Sequence, residues 1–398
     1  MLTKKETIPI QIRYTTNPDG VTILGVSGRA SELRIPETIE GMPVTAVGKR
    51  AFAVKEEFPP AEEELPAELS YITTGDFAPV ETGQAVKRIY LPDTVKTIGD
   101  DAFSGCTELV YLHLPEALEV LPDHMLNNCG ALTTLALPPH LKTIKGYAFY
   151  NCRSLKELSL PEGIVSIGHY AFYNCRSLGK LSLPSSAVDL GTGLFLNCDD
   201  LHDISFGRCK DIANLISVLN HELHLTIDFE QESNGVKRAR LVVPDFQYEY
   251  IEDTPARQFH QINYGTGHIF RQCIGNNEID FRRYDEIFYL TRREDAAVTV
   301  LLLAVNRLEY PYRLEEKRLV TYLDYLREHF LWAAEYFLDQ NDEHRIRLFT
   351  EWGLVTRDTL PDLLRLAQEK RRTSILSFLM DYQHKTFGTV KKKKTFEL

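Results

Sequence analysis

One spacing constrains this chain more than any other feature. Segments beginning at Val86, Leu109, Leu132, Leu155 and Leu178 superimpose at 23-residue intervals without an insertion or deletion. One apolar column reads Ile89, Leu112, Leu135, Leu158, Leu181 and Ile204; a second, two residues on, reads Leu91, Leu114, Leu137, Leu160, Leu183 and Phe206. Proline follows at 92, 115, 138, 161 and 184, then come the columns Ile98, Leu121, Ile144, Ile167, Leu190 and Phe103, Leu126, Phe149, Phe172, Phe195. Cysteine closes the unit at 106, 129, 152, 175 and 198. A unit this short cannot bury its own apolar columns, so successive coils must stack into one continuous core.

Two apolar residues at period two, as in Leu158-Ser159-Leu160, describe a short strand with one buried face. Proline ends it, having no N–H to give a ladder. Stacked at roughly 4.8 Å, such strands make a short parallel sheet along a solenoid. Pairs such as Ala148-Phe149 and Ala171-Phe172 fall in the return segment and fill the interior opposite.

The unit Leu-x-Leu-Pro-x-x-hydrophobic-x-x-Ile-Gly-x-x-Ala-Phe-x-x-Cys-x-x-Leu resembles the BspA-type leucine-rich repeat of bacterial proteins, specifically over Val86 to Leu201. Upstream, Ile35-Pro36 to Gly48 with Ala51-Phe52 resembles a first repeat carrying a five-residue insertion. The resemblance implies an α/β leucine-rich repeat solenoid with a short parallel β-sheet. An N-terminal β-hairpin cap is expected where Tyr14 to Val26 alternates about Pro18-Asp19-Gly20, and an all-α C-terminal domain follows from the helical period described below.

The expected organisation is a cap and first repeat at 1–54, an acidic proline-rich insertion loop at 55–85, and five regular repeats at 86–206. Degenerate repeats and a connector follow at 207–290, a helical domain at 291–388 and a lysine-rich tail at 389–398. Between Glu56 and Ala85 there are eight acidic residues, no basic ones and four prolines, a composition that suits a mobile loop or a partner-binding arm. Ile227 and Phe229, 23 residues after Ile204 and Phe206, predict one further strand, and Leu241-Val242-Val243-Pro244 another after a shortened coil. Beyond Asp295, apolar residues at spacings of three and four from Leu319 to Phe337 predict one long amphipathic helix, after a shorter one around Val298–Leu308. Leu360–Arg371 and Ser374–Gln383, preceded by Arg345–Trp352, resemble an ankyrin-type helix pair.

Seven cysteines invite disulfides or metal, but the five at 23-residue intervals form a row of parallel side chains. A row lacks the converging Cβ vectors of a bridge and the tetrahedron of zinc, so buried, reduced packing is expected. Asn128, Asn151, Asn174 and Asn197 suit a turn whose backbone groups their amides satisfy. His221-Glu222-Leu223-His224 lacks the four-residue histidine spacing of a zinc-protease helix, and the Gly-Thr-Gly pairs at 191 and 265 lack the third glycine of a dinucleotide loop. No cofactor, metal or catalytic constellation is implied. The net charge of −11 offers no global nucleic-acid footprint, and no apolar run is long enough to span a membrane. The amino-terminal stretch lacks the apolar core of a signal peptide, so a cytoplasmic location is expected, with the cell surface as alternative.

Strand positions between the core columns face solvent. The partner-binding candidates are Arg88, Tyr90, Tyr111 and His113, an aromatic and cationic group of the kind enriched at interface hot spots, continued by Thr134, Glu157 and Lys180. The expected function is a non-catalytic protein–protein interaction module with an unspecified protein partner. The alternative, implied by the resemblance, is a bacterial surface adhesin. An enzyme with a site between residues 245 and 290, using Arg257, His260 and His268, is the third reading.

Overall fold

The computed structural model describes residues 10–27, 30–54, 70–73, 86–184, 189–207, 212–232, 235–253, 258–275 and 278–388. The chain separates into two compact units, Met1–Asp280 and Phe281–Leu398.

In the first unit the 23-residue period becomes a solenoid. Strands Glu32–Arg34, Arg88–Tyr90 and Tyr111–His113 pair in parallel, with Leu33, Ile89 and Leu112 in register. Glu157–Ser159, Lys180–Ser182 and Asp203–Phe206 form a second parallel set with Leu158, Leu181 and Ile204 in register. The coil between the sets departs from expectation: Thr134–Ala136 is not a strand, although Leu135 stays buried and the coil remains stacked through Ala131 N–H to Thr107 O and Lys156 N–H to Thr133 O. Each coil also contributes a two-residue strand on its return side, which the sequence reading had as a plain apolar column. Val120–Leu121, Thr143–Ile144, Ser166–Ile167 and Asp189–Leu190 run parallel in one ladder.

Both ends of the solenoid are closed by antiparallel pairing. At the start, the hairpin Gln11–Asn17 and Gly20–Ser27 adds to Met42–Val47, which itself pairs with the return strand Thr97–Ile98. The 55–85 insertion is not wholly a loop. Its segment Ser70–Thr73 pairs with Gln11–Tyr14, taking the free edge of the hairpin, and Tyr71, Ile72 and Thr73 are residue types that favour strands. The rest of that segment lies outside the described residues, as do Cys209, Arg257 and the 389–398 tail.

At the far end the period shortens. Leu225 and Ile227 pair with Ile204 and Phe206, a 21-residue step, so the strand sits two residues earlier than the 23-residue expectation of Ile227 and Phe229. The reason is local: helix α1 (Ile212–Ser217) replaces the regular return segment, burying Ile212, Leu215 and Ile216. Gly235–Val243 then runs antiparallel to Leu223–Glu232 and ends the sheet as a hairpin arm, not as another coil. A second hairpin, Gln247–Asp253 with Gln258–Tyr264, and helix α2 (Gly267–Arg271) complete the unit.

The interior is a set of ladders. Phe149, Phe172 and Phe195 stack at 5.0 and 5.3 Å, and Phe52 stacks on Phe103 at 4.9 Å. The cysteines line up as expected and each thiol donates to a carbonyl of the preceding coil, for example Cys152 Sγ to Leu126 O at 3.2 Å. The asparagine column is also a turn, with φ near 61° at Asn128, Asn174 and Asn197, but its amides serve one another rather than the backbone. Asn151 Nδ2 donates to Asn128 Oδ1 at 2.7 Å, and Asn174 to Asn151. Coils approach so closely at the return corner that a Cβ on Gly168 would lie 2.4 Å from Gly146 N.

Burial pushes the Cys106 and Cys198 thiols from an ordinary value of 9.0 up to about 12. The folded chain therefore keeps protons that the unfolded chain releases. Their stabilising contribution is complete below pH 9 and is lost progressively as pH rises toward 12. By about pH 10 the loss is roughly 1–1.5 kcal/mol per thiol. Urea unfolding at pH 8 and pH 10 checks this: the alkaline loss should shrink in the Cys106→Ala/Cys198→Ala variant, and an equal loss in both proteins would refute it.

The second unit begins earlier than the expected residue 291. Helix α3 (Phe281–Glu294) buries Phe281, Tyr284, Ile287, Phe288 and Thr291 on one face. Then come α4 (Ala297–Glu309), α5 (Glu316–Glu328), α6 (Phe330–Asp339), α7 (Glu343–Glu351), α8 (Leu360–Glu369) and α9 (Thr373–Phe387). The single long helix expected from 319 to 337 is two, broken at His329 (φ −110°, ψ 20°), whose ring lies 4.6 Å from that of Tyr325. The break lets α6 bury Phe330, Ala333, Ala334, Phe337 and Leu338. A buried ion pair centres the unit: Arg307 donates to both carboxylate oxygens of Asp285 at 2.7 and 2.8 Å, and the Tyr322 hydroxyl donates to the same carboxylate at 2.8 Å.

Candidate functional site

The strand face of the first coils carries the predicted aromatic and cationic group. Because Arg88 pairs in register with Tyr111 and Tyr90 with His113, stacking brings all four onto one surface. The Tyr90 and Tyr111 rings lie 5.3 Å apart, and Tyr111 is 41% exposed. His113 Nε2 is 3.7 Å from Asp93. The sequence reading missed one member: Arg34, from the coil before the insertion, places its guanidinium 3.9 Å over the Tyr90 ring while pairing with Glu32. The alignment of Glu32–Arg34 with Arg88–Tyr90 supplies it.

Thr134, Glu157 and Lys180 are exposed but do not extend this sheet. Thr134 sits on the coil without a strand, and Glu157 and Lys180 stand in register on the second sheet. The structure thus gathers Arg88, Tyr90, Tyr111 and His113 and leaves the other three on different segments.

A second surface, on the return side, was not anticipated. His124 stacks on Tyr147 (4.7 Å, 4°) and Tyr147 on Tyr170 (5.4 Å, 24°), while Tyr150 stacks on Tyr173 (5.0 Å, 6°). His169 stands perpendicular to Tyr147 at 5.2 Å. The four tyrosines are half-buried and His169 is exposed. The signal was present as Tyr147-Ala-Phe-Tyr150-Asn-Cys and Tyr170-Ala-Phe-Tyr173-Asn-Cys, two outward columns beside the inward Phe column.

The backbone marks these positions further. Asp101, His124, Tyr147 and Tyr170 have φ between 52° and 58°, the left-handed region that bulky side chains avoid at roughly 1–2 kcal/mol each. The equivalent position one coil on is Gly193 (φ 67°), the residue that takes this conformation without cost. The same turn position is held by Arg50 in the first coil, also left-handed at φ 56°, so the conformation belongs to the turn and the side chains carried there vary from coil to coil. A Cβ on Gly193 would fall 2.3 Å from the Tyr170 ring, which therefore ends the stack against bare backbone.

The 245–290 stretch is packed where it is described. Arg271 donates to Leu219 O, Pro244 O, Gly267 O and His221 O at 2.7–3.0 Å, and burial pulls its guanidinium down to about 10. Phe270, Cys273, Ile274 and Ile279 of the same stretch are buried, and the Arg271 guanidinium lies 4.7 Å from the Phe246 ring. His268 is half-buried beside Phe246, and the His260 side chain and all of Arg257 are outside the described residues. Among the described residues no three His, Cys, Asp or Glu groups are placed to hold a metal ion, and no helix is long and apolar enough to cross a membrane.

Comparison with curated proteins gives no match. Among solved structures the chain is similar to the leucine-rich repeat protein of T. pallidum, at 27% identity over 52% of this chain and 86% of that one, with a TM-score of 0.38. It is also similar to a leucine-rich cell surface protein from Faecalibacterium prausnitzii, at 19% identity and a TM-score of 0.35, spanning 60% of each chain. A leucine-rich repeat protein from Eubacterium ventriosum matches at 24% identity over 46% of this chain and 50% of that one, with a TM-score of 0.32. Residues 81–202 match, in six copies, the family described as the BspA type leucine-rich repeat region. With its 23-residue period realised as stacked parallel strands, the 81–202 stretch of this chain is a BspA-type leucine-rich repeat region.

Proposed function

We propose that this chain is a non-catalytic protein-binding module that engages its partner through Arg34, Arg88, Tyr90, Tyr111 and His113. The supporting observation is the contact of Tyr90 with both Tyr111 (5.3 Å) and Arg34 (3.9 Å), which preorganises two aromatic rings and a cation on a rigid parallel sheet. Preorganised Tyr and Arg side chains lose little entropy on binding and dominate interface energetics. Thr134, Glu157 and Lys180 then contribute to a polar rim. Cell fractionation separates a cytoplasmic from a surface location.

The test is quantitative capture from native lysate by the wild type and by Tyr90→Ala/Tyr111→Ala. A hot-spot pair is expected to weaken capture by roughly 2 kcal/mol or more, about thirtyfold. Capture indifferent to those changes, with the variant folded by circular dichroism, would place the interface elsewhere.

A further inference from the structure

We propose that His202 and His221 form an acid-released latch, which holds the closing segment of the solenoid on the last regular coil at neutral pH and lets it open when the imidazoles gain a second proton. The two rings lie 5.0 Å apart at 80°. Each bonds the backbone beside the other: His202 Nδ1 donates to Glu222 O at 3.0 Å, and His221 Nε2 donates to Leu201 O at 2.7 Å. Carbonyls only accept, so both of these nitrogens carry a proton, which leaves His202 Nε2 and His221 Nδ1 for the acid proton. The exchange of bonds sits where the coil shortens to 21 residues and α1 takes the place of the regular return segment.

Protonation makes the same pair repulsive. Two imidazolium rings at 5.0 Å would face a third cation pinned beside them: Arg271 Nη2 donates to His221 O at 2.7 Å, and bonds to Leu219 O, Pro244 O and Gly267 O keep the guanidinium in place. His202 is exposed and takes its proton directly from solvent, whereas His221 is half-buried. That partial burial holds the His221 imidazole below its ordinary value of 6.5. His202 and Arg271 lower it further, against the bond to Leu201 O and the Asp199 carboxylate, which raise it. Among the described residues, Asp200 and Asp203 flank His202 along the chain, Glu222 is engaged by His224 Nε2 at 2.8 Å, and Asp245 acts on Arg271. Helix α2 adds His268 beside Phe246, and α1 carries no charge. The folded chain takes up the His221 proton at lower pH than the unfolded chain does. The contribution of neutral His221 is therefore present above pH 6.5 and is lost as pH falls below it. What opens is the segment from α1 to strand Leu223–Glu232, which covers the edge of Asp203–Phe206.

Hydrogen–deuterium exchange of the full chain at pH 7.5 and pH 5.0, corrected for the intrinsic pH dependence of exchange, tests the latch. Amides of 203–206 and 223–227 should lose protection by roughly tenfold or more at pH 5.0, whereas those of 143–182 should not. His202→Asn/His221→Gln keeps an amide N–H at the position of each donating nitrogen and does not titrate, so its protection at the two pH values should be equal. Imidazole nitrogen NMR of the wild type gives a readout independent of that variant's stability. The His221 midpoint, assigned by its absence from the His221→Gln protein, should lie below 6.5 and coincide with the loss of protection. Unchanged protection of the wild type at pH 5.0 overturns the proposal. So does an equal acid loss in the double variant, or a His221 midpoint at or above 6.5.

Discussion

Replacing Phe172 with alanine is expected to cost the repeat unit about 3–5 kcal/mol, enough to shift its urea midpoint far below that of the wild type. Phe172 is fully buried and is the middle ring of a stack, 5.0 Å from Phe149 and 5.3 Å from Phe195 with an interplanar angle of only 2° to the latter. Truncation opens a cavity in a column where the coils above and below are held by the Asn and Cys ladders and cannot close in. It also removes two ring–ring contacts, each worth about 0.5–1.5 kcal/mol beyond burial. Solenoid stability is approximately a sum of coil and nearest-neighbour terms, so a break in the central coils uncouples both flanks. Phe172→Leu should be much milder, because Leu126 fills the same column one coil before Phe149 with no exposure. Urea unfolding followed by far-ultraviolet circular dichroism measures both. A loss under about 1 kcal/mol for the alanine variant would mean that the ladder is not the core of this unit.

The features legible in the sequence were those that stacking converts directly from a period into a contact. Ile89 with Leu112, Leu158 with Leu181, and Tyr90 beside Tyr111 all follow once positions 23 apart become neighbours. What escaped was whatever depends on a change of period or on backbone conformation. The last coil closes at 21 residues because α1 occupies the return, and nothing in Ile204 or Phe206 announces that. Arg34 reaches Tyr90 across the insertion, so its place appears only when Glu32–Arg34 is paired with Arg88–Tyr90. The aromatic columns at 147, 150, 170 and 173 were readable as spacing, but their exposure and the left-handed φ at Tyr147 and Tyr170 are properties of the turn. In the helical unit, period alone could not register the break at His329. Backbone bonds of helical type continue on either side of it, from His329 N–H to Tyr325 O and from Ala333 N–H to His329 O. Helix α3 was read as connector although Phe281, Tyr284, Phe288 and Thr291 carry the helical spacing.

Asp285→Ala is expected to destabilise the helical unit by about 3–5 kcal/mol, since it leaves the buried Arg307 guanidinium without its carboxylate. Both side chains are almost fully buried, at 0% and 2% exposure, so the orphaned guanidinium lies away from bulk solvent. Arg307 would keep the Tyr310 and Tyr312 carbonyls, at 3.4 and 3.2 Å, and the Phe281 ring 5.2 Å away, while the Tyr322 hydroxyl would lose the Asp285 carboxylate as its acceptor. The loss is a cost of breaking the pair rather than a measure of its worth. Asp285→Leu combined with Arg307→Met, which removes both charges and keeps the volume filled, should therefore recover most of the stability. The readout is specific because the chain's two tryptophans, Trp332 and Trp352, both lie in this unit. Their fluorescence during urea unfolding should show the midpoint fall in Asp285→Ala and return in the double variant. A double variant as unstable as Asp285→Ala would mean that packing at these positions, and not an orphaned charge, sets the stability of the helical unit.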